Sequence, residues 1–506
     1  MRRSQTSFHD IARRVFHYDS LRPGQEQAIS ALLSGRDTLA VMPTGHGKSA
    51  IYQIAALLLD GPTIVVSPLI ALQKDQSEFL NRRSAGGAAT VNSHMPPSSQ
   101  EEALDAASEG ETEFLFLSPE QLANPERLQE VAAAKPSLFV IDEAHCISQW
   151  GHSFRPDYLG LGAAVKALKH PVVLALTATA NPEVRGEIVS RLGMRDPEIL
   201  VHGFDRPNIW LGVETASGEE KKRALLLDRV SRSTLPGLVY VSTRRHAEEI
   251  ATELASAGIT AAAYHAGMNK RDRQSVQERF MQDALSIVVA TSAFGMGIDK
   301  PNVRFVYHFD SPGSLDSYYQ EMGRAGRDGS PASAVLFFCP KDLTLHKFFS
   351  ASERIGEKQF SAAVAALTAA SEKTVTQAAL AERSAIPKTK LKRVLQALAD
   401  LHAIRIAKSG AVTLLSDAAA LEEQARQAVE LQTRIIANGT ARIEEMRVYA
   451  ENLDCRRARL LRYFGEDAPE SCGNCDNCQG RGTTRAELIA QTRAQTEEAT
   501  AESQAS

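Results

Sequence analysis

Residues 38–59 read TLAVMPTGHGKSAIYQIAALLL. TLAVM is a short, continuous apolar run, the pattern of a strand buried on both faces. PTGHG is a loop whose two glycines let backbone come close to a ligand. The run from Lys48 onward has the composition of a buried helix. A strand, a glycine-bearing loop and a helix starting at Lys-Ser aim backbone N–H groups and a helix dipole at phosphate. Gly45 and Gly47 permit the approach, Lys48 reaches β- and γ-phosphates, and Ser49 offers a hydroxyl to Mg²⁺. The strict pattern has glycine where Met42 stands.

Outward from this stretch the same kind of strand recurs at TIVVS (63–67), SLFVID (137–142), VVLALTAT (172–179), LVYVS (238–242) and SIVVAT (286–291), with helical patterns between. Near-continuous apolar strands separated by helices predict parallel sheets covered on both faces. The span from Leu21 to Phe338 is about twice one such unit, and the turn formers Phe204-Asp205-Arg206-Pro207-Asn208 divide it. The expected fold class is α/β, with two tandem domains over 1–207 and 208–345. A mostly helical region follows. Within it, residues 357–418 pattern as helix, turn, helix and two short strands, and carry seven Lys or Arg between Ala379 and Lys408 against Glu382 and Asp400. A winged-helix-like module and a helical spacer with a solvated basic face both fit that pattern. A helical zinc-binding module is expected over 419–480, and the Ala/Thr/Glu-rich tail 481–506 is expected to be disordered.

A chain of 506 residues is too long for one core and suggests three to four domains. The formal charge of −4 excludes global basicity, so a polyanion partner must be held by local patches. No apolar run approaches the ~20 residues that span a bilayer, so no membrane partner is expected. Phe8, Ile11, Ala12, Val15 and Phe16 recur at helical spacing, which predicts a leading amphipathic helix rather than a secretory or transit segment. Four of the six cysteines cluster near the C-terminus, which suggests metal in a reducing cytoplasm. Cys146 and Cys339 lack paired spacing and read as ordinary thiols.

The strand at 137–142 ends in Asp142-Glu143-Ala144-His145, where α/β sheets place their ligands. Asp142 is suited to hold Mg²⁺ and Glu143 to polarise an attacking water. With a phosphate loop upstream, the pair reads as the acidic half of an ATP-hydrolysing site.

These segments together resemble the RecQ family of superfamily 2 DNA helicases. Leu21-Arg22-Pro23-Gly24-Gln25 resembles the family's adenine-recognition motif, which implies that Arg22 stacks on the base and Gln25 bonds its edge. Thr44 belongs to the helicase form of the phosphate loop, x-x-T-G-x-G-K-S. SPLIALQKDQ (67–76) is similar to motif Ia, LTATA (176–180) to motif III, ATSAFGMGIDKP (290–301) to motif V and QEMGRAGRDG (320–329) to motif VI. The last implies a nucleotide role for Gln320 and an interdomain reach of Arg324 and Arg327 to the γ-phosphate, with Arg327 as the finger. CISQWGHSFRPDY (146–158) resembles the aromatic-rich loop that senses single-stranded DNA. Trp150 and Phe154 are suited to stack on bases and Arg155 to meet a phosphate.

Cys472, Cys475 and Cys478 with Cys455 upstream supply the four thiolates of a tetrahedral zinc site, although C-x₂-C-x₂-C alone also suits iron–sulfur ligation. The surrounding sequence resembles the RecQ zinc module, which implies zinc. Arg456, Arg457, Arg459 and Arg462 beside it form a candidate DNA-backbone contact, against a solvated face. The resemblance breaks between residues 345 and 452, where the family has a much shorter segment and places its winged helix after zinc. The whole implies RecA-like motor domains, cofactors ATP, Mg²⁺ and Zn²⁺, and a 3′-to-5′ DNA helicase of repair and recombination. Its partners would be single-stranded and tailed or forked duplex DNA and repair proteins. Its location would be the cytoplasm, at the bacterial nucleoid, or a nucleus. An RNA-directed or translocase-only motor and a zinc-stabilised DNA-binding scaffold remain open, the scaffold being disfavoured by Lys48, Asp142, Glu143 and Arg327.

Overall fold

The computed structural model describes residues 7–43, 45–92, 95–148, 154–295, 300–344, 355–370, 374–401, 403–407 and 409–480. The chain divides into one compact unit of residues 1–343 with 445–506 and a second of 344–444.

The first unit contains two parallel sheets. One is built from β1 (Thr38–Val41), β2 (Thr63–Val66), β3 (Ala88–Val91), β4 (Phe114–Leu117), β5 (Leu138–Ile141), β6 (Val172–Thr177) and β7 (Glu198–Val201). Their order is β3-β4-β2-β5-β6-β1-β7. The central strands are buried along their whole length, as their apolar runs require. Helix Lys48–Ala56 packs Ile51 and Ile54 against Phe114, Phe116 and Leu174. Helix Phe8–Arg14 buries Ile11 and Ala12 in the same core and is capped by Ser7. The second sheet comprises β8 (Ile209–Thr215), β9 (Gly237–Tyr240), β10 (Ala261–Tyr264), β11 (Ile287–Ala290), β12 (Phe305–His308) and β13 (Ala332–Phe338), in the order β10-β11-β9-β12-β13-β8. Parallel pairing throughout places the chemistry-bearing loops of both domains at the carboxyl ends of their strands.

The zinc cysteines belong to the motor unit rather than to a unit of their own. Leu211 of β8 bridges to Cys475, and Asp476 N donates to Leu211 O at 2.9 Å, so the cysteine loop extends the edge of the second sheet.

The second unit holds helices Glu357–Thr368, Gln377–Ser384 and Lys388–Asp400 over a three-stranded antiparallel sheet of β14 (Thr374–Thr376), β15 (Ile404–Ile406) and β16 (Ala411–Leu414). Phe360, Val364, Leu391, Leu395 and Val412 form its core. Helix Ala418–Glu451 begins in this unit.

Candidate functional site

The loop after β1 and the residues after β5 meet because only β6 separates the two strands. Gly45 and Gly47 have φ of +84° and +74°, a conformation glycine adopts at low cost. A Cβ on Gly47 would lie 2.8 Å from Gln25 Nε2. Lys48 starts its helix and donates to Met42 O at 3.0 Å. Asp142 Oδ1 accepts from Glu143 N at 3.0 Å, and Asp142 Oδ2 accepts from Ser67 Oγ at 3.4 Å. Tyr158 OH donates to Asp142 O at 3.0 Å. Glu143 stands at φ +49°, and its Oε2 accepts no hydrogen bond among the described residues. His145 Nδ1 is 3.3 Å from that oxygen but 3.0 Å from Thr177 Oγ1. Thr177 Oγ1 donates to Thr179 O, so its single proton is committed and His145 Nδ1 is the donor. A histidine thereby ties the carboxylate box to the LTATA segment.

A cleft of about 800 Å³ joins these groups to the second domain. Lys48, Ser49, Asp142 and Glu143 line one side, and Gln320, Arg324 and Arg327 the other. Helix Leu315–Met322 carries Gln320 and ends before the two arginines, which lie in turns rather than on a continuing helix. The Arg327 stem lies 3.6 Å from the Cβ position of Gly45, against the phosphate loop. Arg324 is buried, with Nε unbonded among the described residues, and it also lines an adjoining cavity of about 280 Å³.

Burial, then the Glu143 charge, push the Asp142 carboxyl up to about 7 against the pull of Lys48. Burial also lowers Lys48, with Arg327 acting in the same direction and the two carboxylates opposing. Adjacent, half-buried carboxylates beside a phosphate loop form a site that a divalent cation suits. Glu143 keeps one oxygen open for a water. The donor set thus fits a Mg²⁺-nucleotide.

Gln25 lines the cleft and is bonded to the phosphate loop. It is 4 % exposed, its Nε2 donates to His46 O at 3.0 Å and Gly47 O at 2.9 Å, and its Oε1 accepts from Arg22 N. Arg22 in turn donates to Gly45 O. Both residues brace the phosphate loop in this structure, and contact with a base would exchange these bonds. Thr44 and Trp150 lie outside the described residues. Phe154 and Arg155 are half-buried. Arg155 faces the adjoining cavity, with NH1 3.5 Å from Pro68 O.

The Sγ atoms of Cys455, Cys472, Cys475 and Cys478 all lie within 4.8 Å of one another. A tetrahedral zinc with ~2.3 Å bonds needs sulfurs ~3.8 Å apart, so the four fit the ion. Backbone N–H groups of Ala458, Asn474 and Cys478 donate to three of them, the outer hydrogen bonding that orients metal ligands.

The arginine helix beside them corrects the sequence reading. Arg456 is 1 % exposed and donates to Asp476 Oδ1 at 2.9 Å, Asn477 Oδ1 at 3.2 Å and Tyr449 O. Arg457 donates to Asp205 Oδ1 at 2.6 Å and Ile209 O at 2.7 Å, and Arg459 to Glu445 at 2.6 Å. Arg456 and Arg457 are buried structural donors and present no phosphate-binding face, whereas Arg459 is a half-buried partner of Glu445. Arg462 alone of the four is exposed. Cys146 and Cys339 are buried free thiols.

Two parallel-sheet domains facing each other across a cleft, with a phosphate loop and acidic strand end on one and paired arginines on the other, form a nucleotide site of the helicase type. The DEAD/DEAH box helicase model matches residues 22–186, the helicase conserved C-terminal domain 221–329, and the RecQ zinc-binding model 415–479. The chain is 37 % identical over 470 residues to ATP-dependent DNA helicase RecQ of Pasteurella multocida, covering 93 % of this chain and 62 % of that protein. It is 41 % identical over 343 residues to the probable ATP-dependent DNA helicase RecS of Bacillus subtilis, covering 68 % and 69 %. The chain belongs to the RecQ family of ATP-dependent DNA helicases. It spans a little under two thirds of the Pasteurella multocida protein and of the Haemophilus influenzae RecQ helicase. The fold is also similar to that of Saccharomyces cerevisiae Dbp5 bound to RNA and ADP BeF3, with TM-score 0.53 and 18 % identity over 67 % of this chain and 89 % of that one. The cofactors that go with these domains are ATP, Mg²⁺ and Zn²⁺. Among the described residues no helix is long and apolar enough to cross a membrane.

Proposed function

We propose that this protein is an ATP-driven motor that moves 3′ to 5′ along single-stranded DNA and separates the duplex ahead of it. The observation that carries the reading is the convergence of Lys48, Asp142 and Glu143 with Gln320, Arg324 and Arg327 on one cleft. Bound ATP with Mg²⁺ supplies the phosphoryl group and neutralises its charge. Lys48 and the glycine-loop N–H groups hold the phosphates, and Ser49 and Asp142 hold the metal. Glu143 orients and deprotonates the attacking water through the oxygen it keeps open. Arg327, assisted by Arg324, stabilises charge at the γ-phosphate when the cleft is closed, which couples hydrolysis to domain motion. Arg22 and Gln25 read the base, and Gln320 reports the nucleotide to the second domain. Trp150, Phe154 and Arg155 engage the DNA strand. The three-helix, three-strand unit acts as a winged helix that adds DNA surface, with Lys388, Lys390, Lys392 and Arg393 on its third helix. The polarity comes from the family, as does a role in repair and recombination on tailed or forked duplex, alongside repair proteins and in the cytoplasm at the nucleoid.

The test compares DNA-stimulated ATP hydrolysis by the wild type and Lys48→Ala. A loss of at least about 100-fold is expected, the scale of removing a principal phosphate-stabilising group. Equal stimulation of both would overturn the motor reading. Strand displacement should favour 3′-tailed over 5′-tailed duplex, and the reverse preference would overturn the polarity.

A further inference from the structure

Arg206 and Asn208 lie in the connection between the two motor domains, outside the nucleotide cleft. Arg206 NH1 donates to Gly323 O at 3.1 Å, and NH2 donates to Ala325 O at 2.8 Å and Gly326 O at 3.0 Å. Asn208 Nδ2 donates to Gly326 O at 2.8 Å and Ser330 O at 2.9 Å. The bonded carbonyls interleave with Arg324 and Arg327. Helix Leu315–Met322 ends at this turn, where exposed carbonyls and the dipole favour a cation, and a planar guanidinium can serve several acceptors at once. Arg206 pairs with no carboxylate among the described residues, so its charge is committed to the turn. Gly326 has φ of +55°, and a Cβ there would fall 2.4 Å from Asn208 Nδ2 and 2.7 Å from Ser330 O. The turn and the connection are in contact too close for a side chain to intervene.

The zinc region grips the same connection from the other side. Arg457 bonds Asp205 and Ile209 O, Asn474 Nδ2 donates to Pro207 O at 2.9 Å, and Phe464 stacks on Phe204 with ring centroids 4.3 Å apart.

We propose that Arg206 and Asn208 are positioning residues for phosphoryl transfer. They fix the turn so that Arg324 and Arg327 meet the γ-phosphate in register, and the cysteine loop steadies the connection behind them. This rests on the roles given above to those two arginines. A displacement of about 1 Å in a catalytic group costs on the order of 100-fold in rate, while the phosphate loop that binds nucleotide is untouched.

The experiment uses the full chain with zinc content verified, and compares Arg206→Ala, Arg206→Lys, Asn208→Ala, Asn474→Ala and Arg327→Ala. For Arg206→Ala, kcat should fall about 10- to 100-fold, with affinity for the transition-state mimic ADP–aluminium fluoride falling by the same factor. KM for ATP and Kd for ADP should stay within about 3-fold of wild type, because uniform binding is preserved. Asn208→Ala and zinc-loaded Asn474→Ala should show the same signature with smaller amplitude, and Arg206→Lys should restore part of kcat. Unchanged kcat in Arg206→Ala and Asn208→Ala beside an inactive Arg327→Ala would overturn the proposal, as would an equal fall in ADP affinity. If Arg206→Ala does not fold, Arg206→Lys and Asn208→Ala decide. Full activity of Arg327→Ala would instead remove the assignment on which the proposal rests.

Discussion

Arg456→Met removes the donors of a buried charge while keeping most of its stem volume. The guanidinium contacts both Asp476 oxygens, at 2.9 and 3.4 Å, and Asp476 is itself only 5 % exposed. Charge-assisted hydrogen bonds contribute about 1.5–3 kcal/mol each, so the four bonds to Asp476, Asn477 and the Tyr449 carbonyl would sum to roughly 6–12 kcal/mol. That sum overshoots, because burying the guanidinium has its own desolvation cost. Breaking one side of a buried pair costs about 3–5 kcal/mol, mostly from the stranded carboxylate. At about 4 kcal/mol, the local opening equilibrium shifts roughly 10³-fold. The reporters are the amides of Val213, which donates to Asp476 Oδ2 at 3.0 Å, and of Asp476, which donates to Leu211 O at 2.9 Å. Hydrogen exchange read by mass spectrometry should quicken at both by about that factor. Adding Asp476→Asn should recover part of the loss, since no carboxylate is then stranded. An acceleration under about tenfold in the single variant, or strictly additive effects in the pair, would refute the reasoning.

Metal removal should lower the melting temperature of the region from Cys455 to Cys478, because the four thiolates depend on the ion for their grouping; calorimetry after verified chelation checks this, and unchanged melting would deny zinc a structural part. A buried cluster in the second motor domain sets a pH dependence. Lys222 bonds Asp310 at 3.1 Å and Asp342 at 2.9 Å. Burial raises Asp342 to about 6 despite Lys222, so the stability it lends at low pH is lost as pH rises through about 6. Burial would raise Asp310 too, but the His246 hydrogen bond and the Lys222 charge take it down to about 2; its contribution is present above the ordinary value of 3.8 and is lost as pH falls toward 2. The difference in melting temperature, Asp342→Asn minus wild type, should therefore grow between about pH 4 and 6 and level off above, and a flat difference across that window would contradict the assignment.

The chemistry of the nucleotide and zinc sites was legible because it depends on residue types at short spacings: Gly-x-Gly-Lys-Ser, Asp-Glu at a strand end, and four cysteines. What escaped depends on partners far along the chain. A run of four arginines reads as a surface, yet Arg456 meets Asp476 and Arg457 meets Asp205, 20 and 252 residues away. Arg206 and Asn208 read only as a domain boundary, because nothing local announces the carbonyls of residues 323–326. The bonds of the Gln25 amide to the His46 and Gly47 carbonyls likewise join residues more than twenty positions apart, which no local pattern announces. Strands of low β-propensity, AATV at Ala88–Val91 and AAAY at Ala261–Tyr264, hide at sheet edges where half-burial makes little pattern.

β8 is the last strand of its sheet, and its outer side is occupied by the cysteine loop through the Leu211–Cys475 bridge. An uncovered edge strand is a template for pairing with another chain. The cysteine loop therefore also covers a sheet edge. Without that loop the Leu211 N–H and C=O, now bonded to Asn474 and Asp476, would form an open sheet edge.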